Sequence, residues 1–333
     1  MYVKNQRVIR SLIAAIVLAV PALGAQAAGC VPIKLVAPVD PQNICYGSVE
    51  WNEPTLGDKA LKQNFNLYRP STAGSAKTPL VVWAHPNGMS KLLPPSQGMF
   101  KALVPPALGA GFSLVSLEFR HPVVNEAPGT LAPVPHTDIA RALQFIRANA
   151  DALGIDARNI FVVGQSRGTL GLWTVLQDDM ADLNSSDPVS RESTRANAAW
   201  MFNAQTTYDG HEFSELFIVP RDRPAFNDAF DREHPKHAQF GSAIRSVNAG
   251  KQADPPVVLR YDSAVVPKQL TLEEMQQYDA IHYPNFGPAL CNAYQAAFGN
   301  TTRCTYKADP VYKDNPEAAF QGYINFFKKH LVL

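Results

Sequence analysis

The sequence lacks an excess of charge of either sign. Lys and Arg number 30 and Asp and Glu 29, so the net charge is +1, and no block of basic residues stands out. Binding to the phosphates of nucleic acid depends on clustered basic residues, so nucleic acid is not an expected partner. After residue 27 the chain also lacks an apolar run near the roughly 20 residues that a membrane-spanning helix needs. No internal repeat is present, and the 46% hydrophobic content is that of a globular protein.

The N-terminal segment predicts export. Three basic residues precede an apolar run and a stretch of small residues: Lys4, Arg7 and Arg10, then residues 12–23 and 24–27. This is the pattern of a signal peptide over residues 1–27, with Ala25 and Ala27 marking the cleavage site. The mature chain is then expected to be periplasmic or secreted. A lipid anchor at Cys30 is an alternative, although the large apolar residue usual three positions before such a cysteine is missing.

Cysteine is scarce, and its four copies form two pairs that are local in sequence: Cys30 with Cys45, and Cys291 with Cys304. An even number in an exported chain indicates disulfides. If residues 287–298 are helical and residues 302–308 form a strand, Cys291 and Cys304 lie at comparable distances from the turn and can meet. The alternative is four buried thiols.

The stretch Gly164-Gln165-Ser166-Arg167-Gly168 stands between a strand-like run, 159–163, and a helix-like run, 169–176. A serine between two glycines at such a turn is typical of a nucleophile elbow, which lifts the hydroxyl clear of the backbone. The N-terminus of the helix then lies behind an oxygen that becomes negative during attack. The backbone N–H of Arg167 is therefore a candidate oxyanion donor. A Gly-rich turn without chemistry is the alternative.

Other apolar runs predict a parallel sheet. Half-buried or buried strands are expected at residues 61–69, 80–84, 112–117, 198–203 and 256–261, with a helix beginning at Asp138. Alternating strands and helices indicate right-handed crossovers. Residues 28–56 are Pro-rich and are expected to form an irregular N-terminal arm. A polar surface excursion is expected at residues 177–196.

From about Gly57 onward the sequence resembles an α/β-hydrolase of the esterase/lipase kind, near the hormone-sensitive-lipase-like and dienelactone-hydrolase-like carboxylesterases. The closest stretch is Glu118 to Gly168, which ends in Gly-Ile-Asp followed by the elbow. The resemblance implies a mostly parallel central sheet with helices on both faces, one hydrolase domain over residues 57–333, and a cap insertion at about 206–254 that shapes the substrate pocket.

The resemblance also implies a second oxyanion donor in the turn after the strand 80–84. That turn reads His85-Pro86-Asn87-Gly88, and Pro86 has no N–H to donate, so Asn87 or Gly88 is the candidate. An ordinary strand-ending turn is the alternative. In the family a small residue usually follows the nucleophile, and here Arg167 takes its place.

The family's acid follows the strand at residues 256–261, and two residues compete for the role. Asp262 stands directly at the strand end, and each aspartate has a proline five residues further on. Asp279 is followed by the helix-like segment 287–298, which is the order that the family shows. The sequence slightly favours Asp279 over Asp262.

The loop after the final strand, residues 308–314, lacks the histidine that the family carries there. A serine hydroxyl needs an adjacent base. His282 is the preferred candidate because it lies three residues past Asp279, in a loop expected at the carboxyl edge of the sheet. A base from the cap such as His211, or no working triad, are the alternatives.

The remaining histidines are given other roles. His85 matches a structural histidine of the family, His121 is a candidate pocket residue, and His330 is expected to cap the C-terminal helix, 316–330. A metal site built from His211, Glu212, His234 and His237 is not expected, because Pro235 interrupts the helix that it needs.

Together these patterns predict an exported serine hydrolase without metal or organic cofactor. The resemblance implies that its substrates are carboxylic esters, of small molecules or polymers. Two alternatives remain. The same fold supports a serine peptidase, and the missing histidine also fits a hydrolase-like binding protein without catalysis.

Overall fold

The computed structural model describes residues 42–47, 50–53, 58–61, 63–86, 91, 98–120, 136–234, 241–247, 254–299 and 301–333. Ten strands lie in these segments: β1 (Gln42–Cys45), β2 (Glu50–Glu53), β3 (Asp58–Leu61), β4 (Asn64–Tyr68), β5 (Thr78–Ala84), β6 (Ser113–Glu118), β7 (Ile155–Gln165), β8 (Ala198–Phe202), β9 (Val257–Tyr261) and β10 (Cys304–Ala308). The strands β2 and β3 form a separate antiparallel pair, and the other eight form one sheet.

The order of the large sheet is β1-β4-β6-β5-β7-β8-β9-β10. From β6 to β10 every pairing is parallel, whereas β4 runs antiparallel to β1 and β6. The central strands β5, β7 and β8 consist largely of apolar residues that are buried, as expected for strands covered on both faces. The carboxyl ends of β5 to β10 therefore share one edge, where the loops that follow them meet.

Eleven helices lie in the described segments: α1 (Gly98–Gly109), α2 (His136–Ala148), α3 (Ala150–Leu153), α4 (Leu170–Leu176), α5 (Gly210–Phe217), α6 (Arg223–Glu233), α7 (Ala243–Ser246), α8 (Leu272–Met275), α9 (Phe286–Phe298), α10 (Val311–Asp314) and α11 (Tyr323–Lys328). Short 3₁₀ turns flank several of them, among them Ser166–Thr169 and Pro316–Phe320.

The helices form two layers, one on each face of the sheet. On one face α1 and α11 pack against Val81 and Trp83 of β5. On the other face α2, α4 and α9 pack against Val82 and the alternate residues of β7. Successive residues of a strand point to opposite faces of the sheet, so one apolar strand contributes side chains to the hydrophobic core on each face. This confirms the predicted α/β-hydrolase fold with a mostly parallel sheet and helices on both faces.

The sequence predicts an irregular arm over residues 28–56, but two segments of it are strands in the structure: 50–53 form β2, and 42–45 form β1. Residues 42–45 join the edge of the main sheet through antiparallel pairing with β4. Four residues with only two apolar members carry no recognisable alternation. Their strand conformation comes from the neighbouring backbone, so the sheet begins before residue 57.

Two other segments are more finely divided than the sequence predicts. The irregular stretch at 206–254 contains α5, α6 and α7, whose phenylalanines Phe213, Phe226 and Phe230 are buried. The expected C-terminal helix is split into a 3₁₀ turn and α11, because Gly322 adopts φ +87° between them. Gln321 is extended and ends the first turn, and glycine tolerates the left-handed conformation at the start of α11.

The disulfide between Cys291 and Cys304 is formed, as predicted, and joins α9 to β10. The pairing predicted for Cys30 and Cys45 stays a prediction, because Cys30 lies outside the described residues, as does the proposed signal peptide. Across the segments that the structure describes, no helix combines the length and apolar character needed to cross a membrane.

Candidate active site

Ser166 stands at the sharp bend where β7 ends and a helical turn begins. Its φ is +50°, a left-handed value that residues other than glycine seldom adopt. The residue before it, Gln165, is extended, and Ser166–Thr169 forms a 3₁₀ turn that continues into α4. This geometry is that of a nucleophile elbow, with the serine at its apex.

The glycine at the far side of the bend is explained by close packing. A Cβ atom on Gly168 would overlap the carbonyl oxygen of Ala84, the last residue of β5. A side chain at this position would push the turn away from the sheet. The sequence therefore needs glycine here so that the elbow can lie directly on the end of β5.

Hydrogen bonds from buried side chains support the strained serine. Thr169 is fully buried and its hydroxyl donates to the carbonyl oxygen of Ser166 at 2.6 Å. The same hydroxyl accepts a hydrogen bond from the backbone N–H of Gln205 at 3.1 Å. The elbow is thus connected to the segment that follows β8.

The hydroxyl of Ser166 lies beside the imidazole of His282, with Oγ 2.8 Å from Nε2. On the other side of the ring, Nδ1 is 2.7 Å from Oδ2 of Asp279. A carboxylate accepts and cannot donate, so Nδ1 carries the proton and Nε2 accepts the hydrogen bond from Ser166. The arrangement can therefore remove the proton of the serine hydroxyl.

Asp279 and His282 form a local unit. The second carboxylate oxygen, Oδ1, accepts from the backbone N–H of Ile281 at 3.1 Å and of His282 at 3.4 Å. Burial raises the pKa of Asp279, but the hydrogen bond and charge of His282 and these backbone N–H groups outweigh it and leave the pKa below its ordinary value. The carboxylate stays ionised and can hold the imidazole in one orientation.

The loop that carries this pair is anchored on both sides. The side-chain amide of Asn285 accepts from the N–H of Val266 at 2.8 Å and donates to its carbonyl at 2.7 Å. The ring of Tyr283 packs edge-to-face against Phe217 of α5, with centroids 5.2 Å apart. Through Phe217, the segment between residues 206 and 254 therefore packs against the loop that carries Asp279 and His282.

Asp262 is placed at the end of β9, as expected, but its contact is with another residue. Its Oδ2 accepts from the side-chain amide of Asn203 at 2.8 Å, and its N–H donates to Oδ1 of Asn203 at 3.2 Å. Asn203, which follows β8, shares the unusual φ of +50°. The structure thus brings Asp279, and not Asp262, to the imidazole beside Ser166.

Of the three oxyanion candidates, only Arg167 lies in the described part of the chain. It is the second residue of the helical turn, which places its N–H at the N-terminal end beside Ser166. Its side chain extends to His85, the residue that follows β5. Asn87 and Gly88 lie outside the described residues.

The other histidines have separate surroundings. His211 contacts Asp231 on α6, with Nε2 2.7 Å from Oδ1. His330 follows α11, and its ring packs against Phe326. His234 follows α6, and its ring packs at a tilt against that of Phe230. His121 and His237 lie outside the described residues.

Several residues at this site have no motif in the sequence. Thr169, Asn203 and Asn285 are single polar residues whose partners are 3 to 59 positions away. Only Asn203 carries a local signal, since asparagine directly after a strand tolerates the left-handed conformation.

A comparison with protein families matches residues 65–259, more than half of the chain, to the BD-FAE family. This is an esterase family with an α/β-hydrolase-like fold. The matched part contains the elbow and ends in β9, so it excludes the loop of Asp279 and His282. No curated protein is similar enough in sequence to count as a relative.

Solved structures share the fold at low sequence identity. A truncated carbohydrate esterase from gut microbiota is 16% identical, with a TM-score of 0.54 over 91% of this chain and 99% of that one. A thermophilic esterase from Thermogutta terrifontis with bound propionate is 18% identical, with a TM-score of 0.53 over 87% and 94%. An acetyl ester-xyloside bifunctional hydrolase from Caldicellulosiruptor lactoaceticus is 16% identical, with a TM-score of 0.54 over 89% and 98%.

Proposed function

The chain belongs to the BD-FAE family of α/β-hydrolase-like esterases, and from this premise we propose that it is an exported serine esterase with Ser166, His282 and Asp279 as its triad. The family makes it an ester-hydrolysing enzyme. The observation that carries the assignment of residues is the hydrogen-bonded series from the Ser166 hydroxyl through His282 to Asp279. It also explains how the chain can lack a histidine after β10, because a candidate base from another loop, His282, lies beside the serine.

In the proposed reaction Ser166 Oγ attacks the ester carbonyl carbon while its proton passes to His282 Nε2. The carbonyl electron pair moves to oxygen, and the tetrahedral intermediate then expels the alcohol, which takes the proton from His282. A water molecule repeats the sequence on the acyl-enzyme, and the proton returns to Ser166. Asp279 stabilises the imidazolium that forms in each half, as the acid of a serine triad does.

The developing oxyanion would be held by the N–H of Arg167 and by an N–H from the turn after β5, at Asn87 or Gly88. One such donor is worth about 3 kcal/mol of barrier. The strained φ of Ser166 supports the first assignment, because it turns the start of the helix toward the reacting carbonyl. The close approach of Gly168 to Ala84 supports the second, because the strand that leads into this turn ends beside the elbow.

The substrate is a carboxylic ester, of a small molecule or a polymer, and the reaction uses the triad side chains, backbone N–H groups and water, without metal or organic cofactor. The cap assigned to residues 206–254 would shape the pocket above Ser166. Packing of Phe217 behind Tyr283 supports a further role for this segment in holding the base loop.

The test uses a fluorophosphonate probe and short p-nitrophenyl esters on the purified mature protein. Labelling and turnover are expected, and Ser166→Ala should abolish both. His282→Ala should lower kcat by about 10³-fold or more. Acetylated xylan extends the panel, because two structural neighbours are a carbohydrate esterase and an acetyl ester-xyloside bifunctional hydrolase. Peptide anilides test the peptidase alternative. Absence of labelling and turnover would favour the non-catalytic alternative, and cleavage of anilides alone would favour the peptidase.

Export is proposed from the N-terminal pattern, and the Cys291–Cys304 disulfide supports it, since such bonds persist in oxidising compartments. The intact mass of the protein recovered outside the cytoplasm is expected to match a chain that begins at Ala28. A chain that begins at Cys30 with added acyl mass would instead establish the lipid anchor.

A further inference from the structure

Four ionisable side chains that the proposed reaction does not use are buried together beside the elbow. Arg167, His85, Glu118 and Lys91 are 4%, 0%, 6% and 5% exposed. Removing charges from water costs free energy unless partners compensate. Four buried ionisable side chains next to a nucleophile are therefore expected to have a function, and the contacts of Arg167 indicate what it is.

The guanidinium of Arg167 packs against two rings that also contact each other, since the ring centroids of His85 and Phe119 are 5.0 Å apart. Its Nη2 is 3.2 Å from both Nδ1 and Nε2 of His85. Equal distances to both nitrogens place it over the face of the imidazole, because in the ring plane it would collide with Cε1. The central carbon of the guanidinium is 4.7 Å from the centroid of the Phe119 ring. Planar stacking of this kind suits arginine and not lysine.

His85 is in turn fixed within its own plane. Its Nδ1 is 2.8 Å from the carbonyl oxygen of Pro86, and its Nε2 is 3.3 Å from Oε1 of Glu118. The other oxygen of Glu118 accepts from the backbone N–H of Lys91 at 3.4 Å. Glu118 thus contacts the chain on either side of the turn that follows β5.

Charge in this cluster is arranged around His85. Glu118 supplies the negative charge opposite the positive Arg167. Burial lowers the pKa of His85, and the carboxylate of Glu118 opposes this, while Arg167 adds to it. A neutral imidazole has one N–H, so it donates to only one of its two acceptors, the Pro86 carbonyl or the Glu118 carboxylate, and it presents its face to the guanidinium without a second positive charge.

The backbone brings the same two segments into contact. Gly168 packs on the carbonyl of Ala84, one residue before His85, while the side chain of Arg167 reaches His85 itself. Two adjacent residues of the elbow therefore contact two adjacent residues at the end of β5. The side-chain contact restricts rotation of the turn about the backbone contact.

We propose that Arg167 is a positioning residue for oxyanion stabilisation: its stacked guanidinium fixes the elbow, and with it the backbone N–H of Arg167, against the end of β5. The inference rests on the proposed function, in which this N–H faces the developing oxyanion. It assigns the side chain of Arg167 a role in the transition state and none in binding the substrate.

The test compares Arg167→Met and Arg167→Lys with the wild type, using p-nitrophenyl acetate and phenylboronic acid. Ser166 Oγ adds to the boron atom, and the serine proton passes to His282. A hydroxyl group of the resulting tetrahedral boronate then mimics the oxyanion. Arg167→Met is expected to lower kcat about 100-fold, with KM within about 3-fold, and to weaken boronate affinity in parallel with kcat/KM. Arg167→Lys keeps the positive charge but lacks the planar guanidinium. Its kcat and boronate affinity should therefore stay close to those of Arg167→Met.

Arg260→Met is the matched control, because the guanidinium of Arg260 lies 4.7 Å from the Trp200 ring, the same distance as at Arg167. It should leave kcat and boronate affinity unchanged. Should Arg167→Met fail to fold, Phe119→Leu serves in its place, because it removes one of the two rings that the guanidinium contacts. It is expected to lower kcat about 10-fold while KM changes little.

Normal kcat and boronate affinity in a folded Arg167→Met protein would overturn the inference and leave the proposed function standing. A proportional rise in KM with unchanged kcat would also overturn it, because the residue would then bind substrate. A wild type without fluorophosphonate labelling or turnover would overturn the proposed function and this inference with it.

Discussion

At the scale of single residues, the two aspartates near the carboxyl edge of the sheet differ in what holds them. Asp262 depends on Asn203, which follows a neighbouring strand. Asp279 is held by its own turn, three residues from the imidazole that it contacts. Its side chain is 53% exposed, so the hydrogen bonds, and not removal from water, fix its orientation. The acid and base would move together as one local unit.

Asp279→Asn tests this assignment. An amide can donate to Nδ1 of His282 and so favour the tautomer with its proton on Nε2, which cannot accept from Ser166. We expect kcat/KM for p-nitrophenyl acetate to fall by about 10³-fold or more, as for a triad with the wrong tautomer. Melting temperature should change little, since the carboxylate is half-exposed.

Asp262→Asn is the matched substitution at the other candidate. It keeps the size of the side chain and should leave kcat/KM within about 5-fold of the wild type, because the residue contacts Asn203 and not His282. If the two substitutions gave the opposite ranking, Asp262 would be the acid and the local unit would have no catalytic role.

At the scale of elements, the elbow is defined by how closely its helix approaches β5. Two glycines face the sheet within one turn. A Cβ on Gly168 would overlap the backbone carbonyl of Ala84, whereas a Cβ on Gly171 would lie 2.7 Å from Cγ1 of the Val162 side chain. A carbonyl within a sheet cannot move alone, but a valine side chain can adjust.

We therefore expect Gly168→Ala to lower the free energy of unfolding by about 3 kcal/mol, and Gly171→Ala by about 1 kcal/mol. Urea denaturation of the two variants measures the difference. Gly168→Ala should also lose most esterase activity, since the turn must shift. Equal destabilisation of both variants would mean that the approach to β5 is not the constraint.

At the scale of the whole molecule, buried charge makes stability depend on pH. The Nζ of Lys91 contacts Oδ1 of Asn43 in β1, so one lysine connects the sheet edge to the cluster around Glu118. Burial lowers the pKa of Lys91 to about 8. Below that pH the folded protein carries a charge that is costly to bury.

The sign of the effect follows from proton binding. In the unfolded chain the pKa returns to about 10.4, so between about pH 8 and 10 the unfolded state binds the proton that the folded state has lost. Stability then rises with pH over this window. Relative to Lys91→Met, the wild type should gain on the order of 2 kcal/mol in unfolding free energy from pH 8 to 9.5.

The comparison with Lys91→Met cancels titration of the buried tyrosines. Lys101→Met, at an exposed position of α1, controls for loss of a lysine as such. Urea unfolding at pH 7, 8, 9 and 9.5 provides the measurement. If the difference in unfolding free energy between the wild type and Lys91→Met stayed constant with pH, Lys91 would not be buried as a charge.

Much of this architecture could be predicted because its signals are local. The strands β5 and β8 and the part of β7 at 160–163 are apolar runs, and the elbow carries its glycines within five residues. The strand β1 could not be predicted, because its hydrogen bonds come from β4, and Gln42 to Cys45 has no pattern of its own. The helices α5 to α7 were hidden by prolines and charges among their buried phenylalanines.

Spacing alone determined that Asp279 and His282 could pair, since three residues separate them, and that Ser166 stands at a tight bend between glycines. Only the folded chain decided which imidazole meets the Ser166 hydroxyl, because 116 positions separate the two. It also decided that Asp262 turns to Asn203 and that the guanidinium of Arg167 covers His85. Contacts between distant segments depend on strand order and loop packing, and no short stretch of sequence encodes these.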